Sequence, residues 1–133
     1  MDTVSSAHAA ALWVGLHLIL LLVLSVLVVR LRQKHKVALG DEGIPELARA
    51  IRAFGNATEY VPAGLIALAV LAINEDSALT VHIVGLLLFA GRLTHAVGLS
   101  NSGGASLPRA IGIVLTWIAY VFAAVALLFY AIA

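Results

Sequence analysis

The stretch Ala7–Val29 carries no formal charge, and three further apolar stretches follow it, separated by polar turns and loops. An α-helix rises about 1.5 Å per residue, so about 20 apolar residues cross the hydrocarbon of a bilayer. Four such stretches in 133 residues leave little chain for anything else. The hydrophobic fraction is 62% and the mean hydropathy +1.07, where soluble domains average about 45–50% apolar. Only 11% of residues are charged, so an apolar core cannot be covered by a polar surface. The solvent of this chain is lipid.

The expected fold is all-α: an integral membrane four-helix bundle running up-down-up-down, one transmembrane domain over residues 1–133. The spans are expected at about 7–29, 45–73, 77–99 and 106–132. The first is too long for the apolar region of a signal peptide, and nothing basic precedes it, so it reads as a retained helix. Pro45 suits a first helical turn, where its missing N–H costs nothing. Asn74-Glu75-Asp76-Ser77 reads as a tight acidic turn, and Ser100–Gly104 as a flexible loop. Ser106 is the expected N-cap of the last span, with Pro108 in its first turn.

All eight Lys and Arg residues fall at one membrane face, whereas Asp2, Glu75 and Asp76 lie at the other. The positive-inside rule predicts a cytoplasmic basic face and both termini on the non-cytoplasmic side. A bacterial inner membrane is the expected location. The net charge of +1 implies no long-range attraction to nucleic acid. The absence of cysteine removes disulfides, thiolate metal sites and a cysteine nucleophile together. Sulfur chemistry here needs a thiol brought by a ligand. His8, His17, His35 and His82 do not cluster with carboxylates at metal-ligand spacing, so no metal is assigned.

The second span is the unusual one. Glu46, Arg49, Arg52, Asn56 and Glu59 recur at spacings of three, three, four and three, which share one helix face. Residues 60–73 are too short to span alone, so the stripe approaches the bilayer, with Glu59 its deepest charge. A charge at such depth costs roughly 2.5–3.5 kcal/mol on insertion scales and usually faces a partner or a wet cavity. One reading is an internal lattice in which Arg52 pairs with Glu59 or Asn56. The other starts from the surplus of arginine: Arg30, Arg52, Arg92 and Arg109 all read as lying at helix ends on this face. Arg30 and Arg32 can snorkel to headgroups. The remainder favour an anionic ligand, since the guanidinium fork matches carboxylate. Pro62 frees the Thr58 carbonyl and favours a kink beside Glu59. Arg92 and His95, three apart, share a face of the third span, where His95 could reach a ligand or Glu59.

The stretch Glu46–Pro62, with Arg49, Arg52, Ala53, Asn56, Glu59 and Pro62 at its marked positions, resembles the signature of the MAPEG superfamily (membrane-associated proteins in eicosanoid and glutathione metabolism). Arg92-Leu93-Thr94-His95 resembles the family's third-helix element, and Pro108-Arg109 lies where a catalytic arginine opens the fourth helix. The pattern is most similar to the bacterial branch and resembles microsomal glutathione transferase. The resemblance implies a homotrimer with sites at subunit boundaries, and glutathione as co-substrate. It implies that Arg52 holds a glutathione carboxylate and that Asn56 and Glu59 contact its backbone and amino group. It implies further that Tyr60 and His95 line the pocket, that Arg30 of a neighbouring subunit completes it, and that Arg109 stabilises the thiolate.

The function expected on this basis is a glutathione-dependent transferase or peroxidase acting on hydrophobic small molecules that enter from the lipid bilayer. The alternative is a non-catalytic lipid- or thiol-binding protein of the same fold. Leu99 and Phe54 favour it, because they stand where many catalytic members carry a tyrosine and a polar residue. A small exporter is the third reading, but the first span has no embedded acid to couple protons.

Overall fold

The computed structural model describes residues 3–74 and 76–133, with side chains from Ser6 onward. Asp2 and Glu75, two of the acids used in the topology reading, lie outside the described residues. Four helices follow in chain order: α1 (Thr3–His35), α2 (Pro45–Ile73), α3 (Ala78–Asn101) and α4 (Leu107–Ile132). Each is long and apolar enough to cross a membrane.

α1 is longer than the expected span at both ends: it begins at Thr3, and Arg30–His35 continue it past residue 29. Lysine, arginine and glutamine are good helix formers, and basic side chains suit a C-terminal turn. The chain then turns through Gly40 and Gly43, at φ +68° and +73°, a left-handed backbone in which a Cβ is strained. Asp41 Oδ1 accepts the Gly43 N–H at 2.8 Å and tightens this turn. Glu46 then joins the two helices: it meets Lys34 Nζ at 2.8 Å and also the His35 ring.

α2 opens on Pro45 as expected and runs through Pro62 without interruption. The Tyr120 hydroxyl of α4 donates to the Tyr60 carbonyl, two residues beyond the carbonyl that the proline frees. α3 has a true N-cap: Ser77 Oγ accepts the Thr80 N–H at 3.0 Å. Ser77→Ala is expected to destabilise the bundle by about 1 kcal/mol, read as a lower melting temperature in detergent. Ser106 corrects an expectation. It occupies the N-cap position of α4, but its hydroxyl caps nothing, and the first turn closes by Ala110 N–H on the Ser106 carbonyl at 3.1 Å.

α1 packs on α2 and α3, and α4 packs on α3 and part of α2; among the described residues α1 and α4 do not meet. The basic half of the α1–α2–α3 core is small and aliphatic, with Leu20 and Leu24 of α1 against Ala53, Ala57 and Val61 of α2. α3 and α4 approach most closely. A Cβ on Gly91 would lie 2.8 Å from the Gly112 carbonyl oxygen, and one on Gly112 would lie 2.5 Å from His95 N. Glycine on both sides of this seam lets the backbones touch, as small residues do at membrane helix interfaces. The outer faces of α1 and α4 carry exposed aliphatic and aromatic side chains such as Leu18, Leu22, Val121 and Phe129, which suit lipid.

Candidate functional site

The polar stripe of α2 divides into two edges when the helix docks. Residues advance by 100° per position, so Arg49 and Asn56 fall on one edge and Arg52 and Glu59 on the other, with Glu46 rotated away. The inner edge faces the protein. Asn56 is buried, and Arg49 Nε donates to the Ser100 carbonyl of α3 at 3.3 Å. The outer edge faces away from the bundle. There Arg52 Nη1 donates to Glu59 Oε1 at 2.9 Å, with side-chain exposures of 57% and 52%. Glu46 has left the stripe altogether for α1.

The centre of the site is a residue whose sequence position reads as a helix end. Arg92 lies well inside α3, nine residues before its last residue Asn101, about 14 Å by helix rise. It is 1% exposed and is the bulkiest fully buried side chain described. Three residues on two neighbouring helices, α2 and α4, accept hydrogen bonds from its guanidinium. Nη1 donates to Asn56 Oδ1 of α2 at 2.7 Å. Nε donates to Thr116 Oγ1 of α4 at 2.8 Å, and Nη2 reaches the Gly112 carbonyl at 3.5 Å. The carbon of the guanidinium stands 4.7 Å from the centroid of the Tyr60 ring, a cation–π contact in a dry setting. Tyr120 lies beyond, with its ring centroid 6.2 Å from that of Tyr60. The glycine seam makes this possible: only a close approach of α3 to α4 brings Thr116 and Gly112 under the arginine.

Of the residues singled out in the sequence, Asn56 and Tyr60 gather at this centre, and His95 is buried one helical turn away on the face packed against Gly112. His95 does not reach Glu59, which is committed to Arg52 on the outer edge. Arg52 and Arg49 line a cavity of about 300 Å³ together with Pro45, Ala48, Leu99 and Gly103. Arg109 is not among its lining residues. Its stem packs on the Gly98 backbone, and its Nη1 donates to the Gly104 carbonyl in the α3–α4 loop at 2.5 Å. Arg30 is exposed on α1. A single chain therefore does not bring Arg30, Arg52 and Arg109 to one cavity.

Two features of this centre are not read from the sequence. Arg92 is named there only as a helix-end arginine, although a charge seven residues inside the expected span 77–99 is a sign of depth. Thr116 carried no signal beyond being a hydroxyl in an apolar run. The exposed Arg52–Glu59 pair leads to a prediction that differs for stability and for binding. Arg52→Ala strands no buried charge, so the melting temperature is expected to stay close to the wild-type value, and any loss is expected in anion binding.

A bundle of four membrane-crossing helices with a buried arginine centre in its basic half defines a multi-pass integral membrane protein. The sequence model of the MAPEG family matches residues 10–129, and the chain belongs to that family. It is similar to inner membrane protein YecN of Escherichia coli strain K12, with 44% identity over 89 residues, covering 67% of this chain and 68% of that protein. The YecN protein of Escherichia coli O6:H1 strain CFT073 matches with the same identity and coverage.

Proposed function

We propose that the protein is a glutathione-dependent transferase or peroxidase acting on lipophilic electrophiles. It works in the inner membrane as a homotrimer, with the basic face in the cytoplasm. The observation that carries this reading is the cavity lined by Arg49 and Arg52, on the same helix as Asn56 and Glu59. Glutathione bears carboxylates at both ends, an ammonium and two peptide groups. Arg52 takes a carboxylate through its planar fork, and Glu59 takes the ammonium. Both side chains are exposed, so their mutual pairing is readily exchanged for ligand charges. Asn56 meets the peptide backbone, Tyr60 and His95 wall the pocket, and the exposed Arg30 of a neighbouring copy closes it.

A free thiol has a pKa of about 8.5, so little is ionised at neutral pH. Arg109 in the first turn of α4 adds a guanidinium to the positive end of the helix dipole, and both favour the thiolate. The thiol proton leaves to water. The sulfur then attacks an electrophilic carbon, a C–S bond forms, and the leaving group departs with its bonding pair. The apolar partner comes from the bilayer. A groove of about 280 Å³ among α2, α3 and α4, walled by Ala63, Leu88, Ala119 and Tyr120, lies at membrane depth and suits such a molecule.

The test is calorimetric titration of detergent-purified protein with glutathione, followed by turnover with a lipophilic aryl halide. Saturable binding and thioether formation are expected; absence of both contradicts the reading. A second reading, a non-catalytic lipid- or thiol-binding protein, is favoured by two observations. Arg109 is tied to the Gly104 carbonyl, and Leu99 stands in the cavity wall. Under it, binding occurs without turnover.

A further inference from the structure

Arg92 is a buried cation with no acid beside it: among the described residues every ion pair involves Glu46 or Glu59, and neither reaches Arg92. Its charge is instead held by neutral groups of fixed polarity. A guanidinium can only donate hydrogen bonds. The Thr116 hydroxyl donates to the Gly112 carbonyl at 2.9 Å, so it meets Arg92 Nε–H with a lone pair. Asn56 is constrained in the same way. It must turn its carbonyl oxygen to Arg92 Nη1, and its NH2 group then points away from the guanidinium. Rotating the amide by half a turn would set N–H groups against N–H groups in a buried site, which leaves donors on both sides unsatisfied.

The outward NH2 of Asn56 has no protein acceptor among the described residues, and Asn56 keeps 8% of its surface exposed. It stands four residues after Arg52 and three before Glu59, beside the edge that carries the charged pair. The close glycine seam behind Arg92 backs a continuous chain of bonds, from the Gly112 carbonyl through Thr116 and Arg92 to Asn56.

We infer that Arg92 is a positioning residue: it locks the Asn56 side-chain amide so that its NH2, not its oxygen, faces the ligand. The site then requires an acceptor at that position, a carbonyl or carboxylate oxygen, and rejects a ligand that presents an N–H there. This deepens the functional reading above and rests on it for the identity of the ligand.

Two arms test the inference. In the first, Asn56→Asp keeps the shape and the oxygen toward Arg92 but removes the NH2 group. Isotope-edited infrared spectroscopy of this variant is expected to show the introduced carboxyl ionised at neutral pH, and protonated once Arg92→Met is added. A protonated carboxyl with Arg92 intact overturns the lock without reference to any ligand. In the second arm, glutathione titration is expected to show about a tenfold or larger loss of affinity in Asn56→Asp, the scale of one lost hydrogen bond to a charged or polar group. Arg92→Lys keeps the charge but loses the fork, and is expected to weaken glutathione binding in the wild-type background and not in an Asn56→Leu background. Additive losses would mean that Arg92 acts independently of Asn56, against the inference. Wild-type binding that survives Asn56→Asp overturns the inference alone. Wild-type protein that binds no glutathione overturns the functional reading and the donor role with it, whatever the infrared band shows.

Discussion

Gly112→Ala is expected to destabilise the bundle by about 3 kcal/mol, the upper part of the usual range for overpacking, and larger side chains there by more. The added carbon would stand 2.5 Å from His95 N, 2.6 Å from His95 Cβ and 2.7 Å from the Gly91 carbonyl oxygen. Two of these three atoms belong to the backbone of α3 and cannot swing aside. The helices must separate, and the damage then reaches the site. Thr116 and the Gly112 carbonyl move with α4, while Arg92 belongs to α3, so its bonds at 2.8 and 3.5 Å lengthen together. Stability and ligand binding should therefore fall in one variant. Gly15→Ala is the control, because nothing lies within 4 Å of a Cβ there. It should be neutral or slightly stabilising, as alanine is the better helix former. Denaturation midpoints of the two variants in detergent, beside wild type, check both statements.

Arg109→Ala is expected to lower glutathione-dependent turnover by roughly 10²-fold or more, the usual scale for removing one donor to a developing or stabilised anion. The fold should be retained. Arg109 is half-buried, and its one side-chain hydrogen bond goes to a loop carbonyl, at Gly104. Loss of that bond frees an acceptor that water can reach. Affinity for glutathione should change less than turnover, because the carboxylate contacts belong to Arg52 on another helix. Arg109→Lys keeps a cation near the sulfur and should recover part of the rate. Turnover measured at saturating glutathione, together with a calorimetric Kd, separates the two effects. Equal losses in both would place Arg109 among the binding groups instead.

The helices were legible in the sequence because lipid imposes a length and a composition that few other constraints imitate. α2 and the start of α4 are punctuated by proline, and their first residues followed from that chemistry. The end of α1 did not, because Arg30–His35 are polar yet helix-favouring, and polarity marks the end of an apolar span but not the end of a helix. The α2 stripe was legible as a periodicity, but its division was not. Which edge turns inward depends on the small residues Ala53 and Ala57 meeting α1, a tertiary choice that the spacing leaves open. The buried centre was hardest to see. Arg92, Asn56 and Thr116 come from three helices, and their meeting depends on Gly91 and Gly112, whose importance lies in the carbon they lack. An arginine in a membrane span announces a partner, but nothing local says that the partners will be an amide, a hydroxyl and a ring in place of an acid.

The thiolate role of Arg109 is tested most directly by ultraviolet difference absorbance on detergent-purified protein titrated with glutathione, wild type beside Arg109→Ala. A saturable thiolate band is expected in wild type and not in the variant, with glutathione still bound in both. Glutathione bound in wild type with no thiolate band, or with a band that persists in Arg109→Ala, would contradict it.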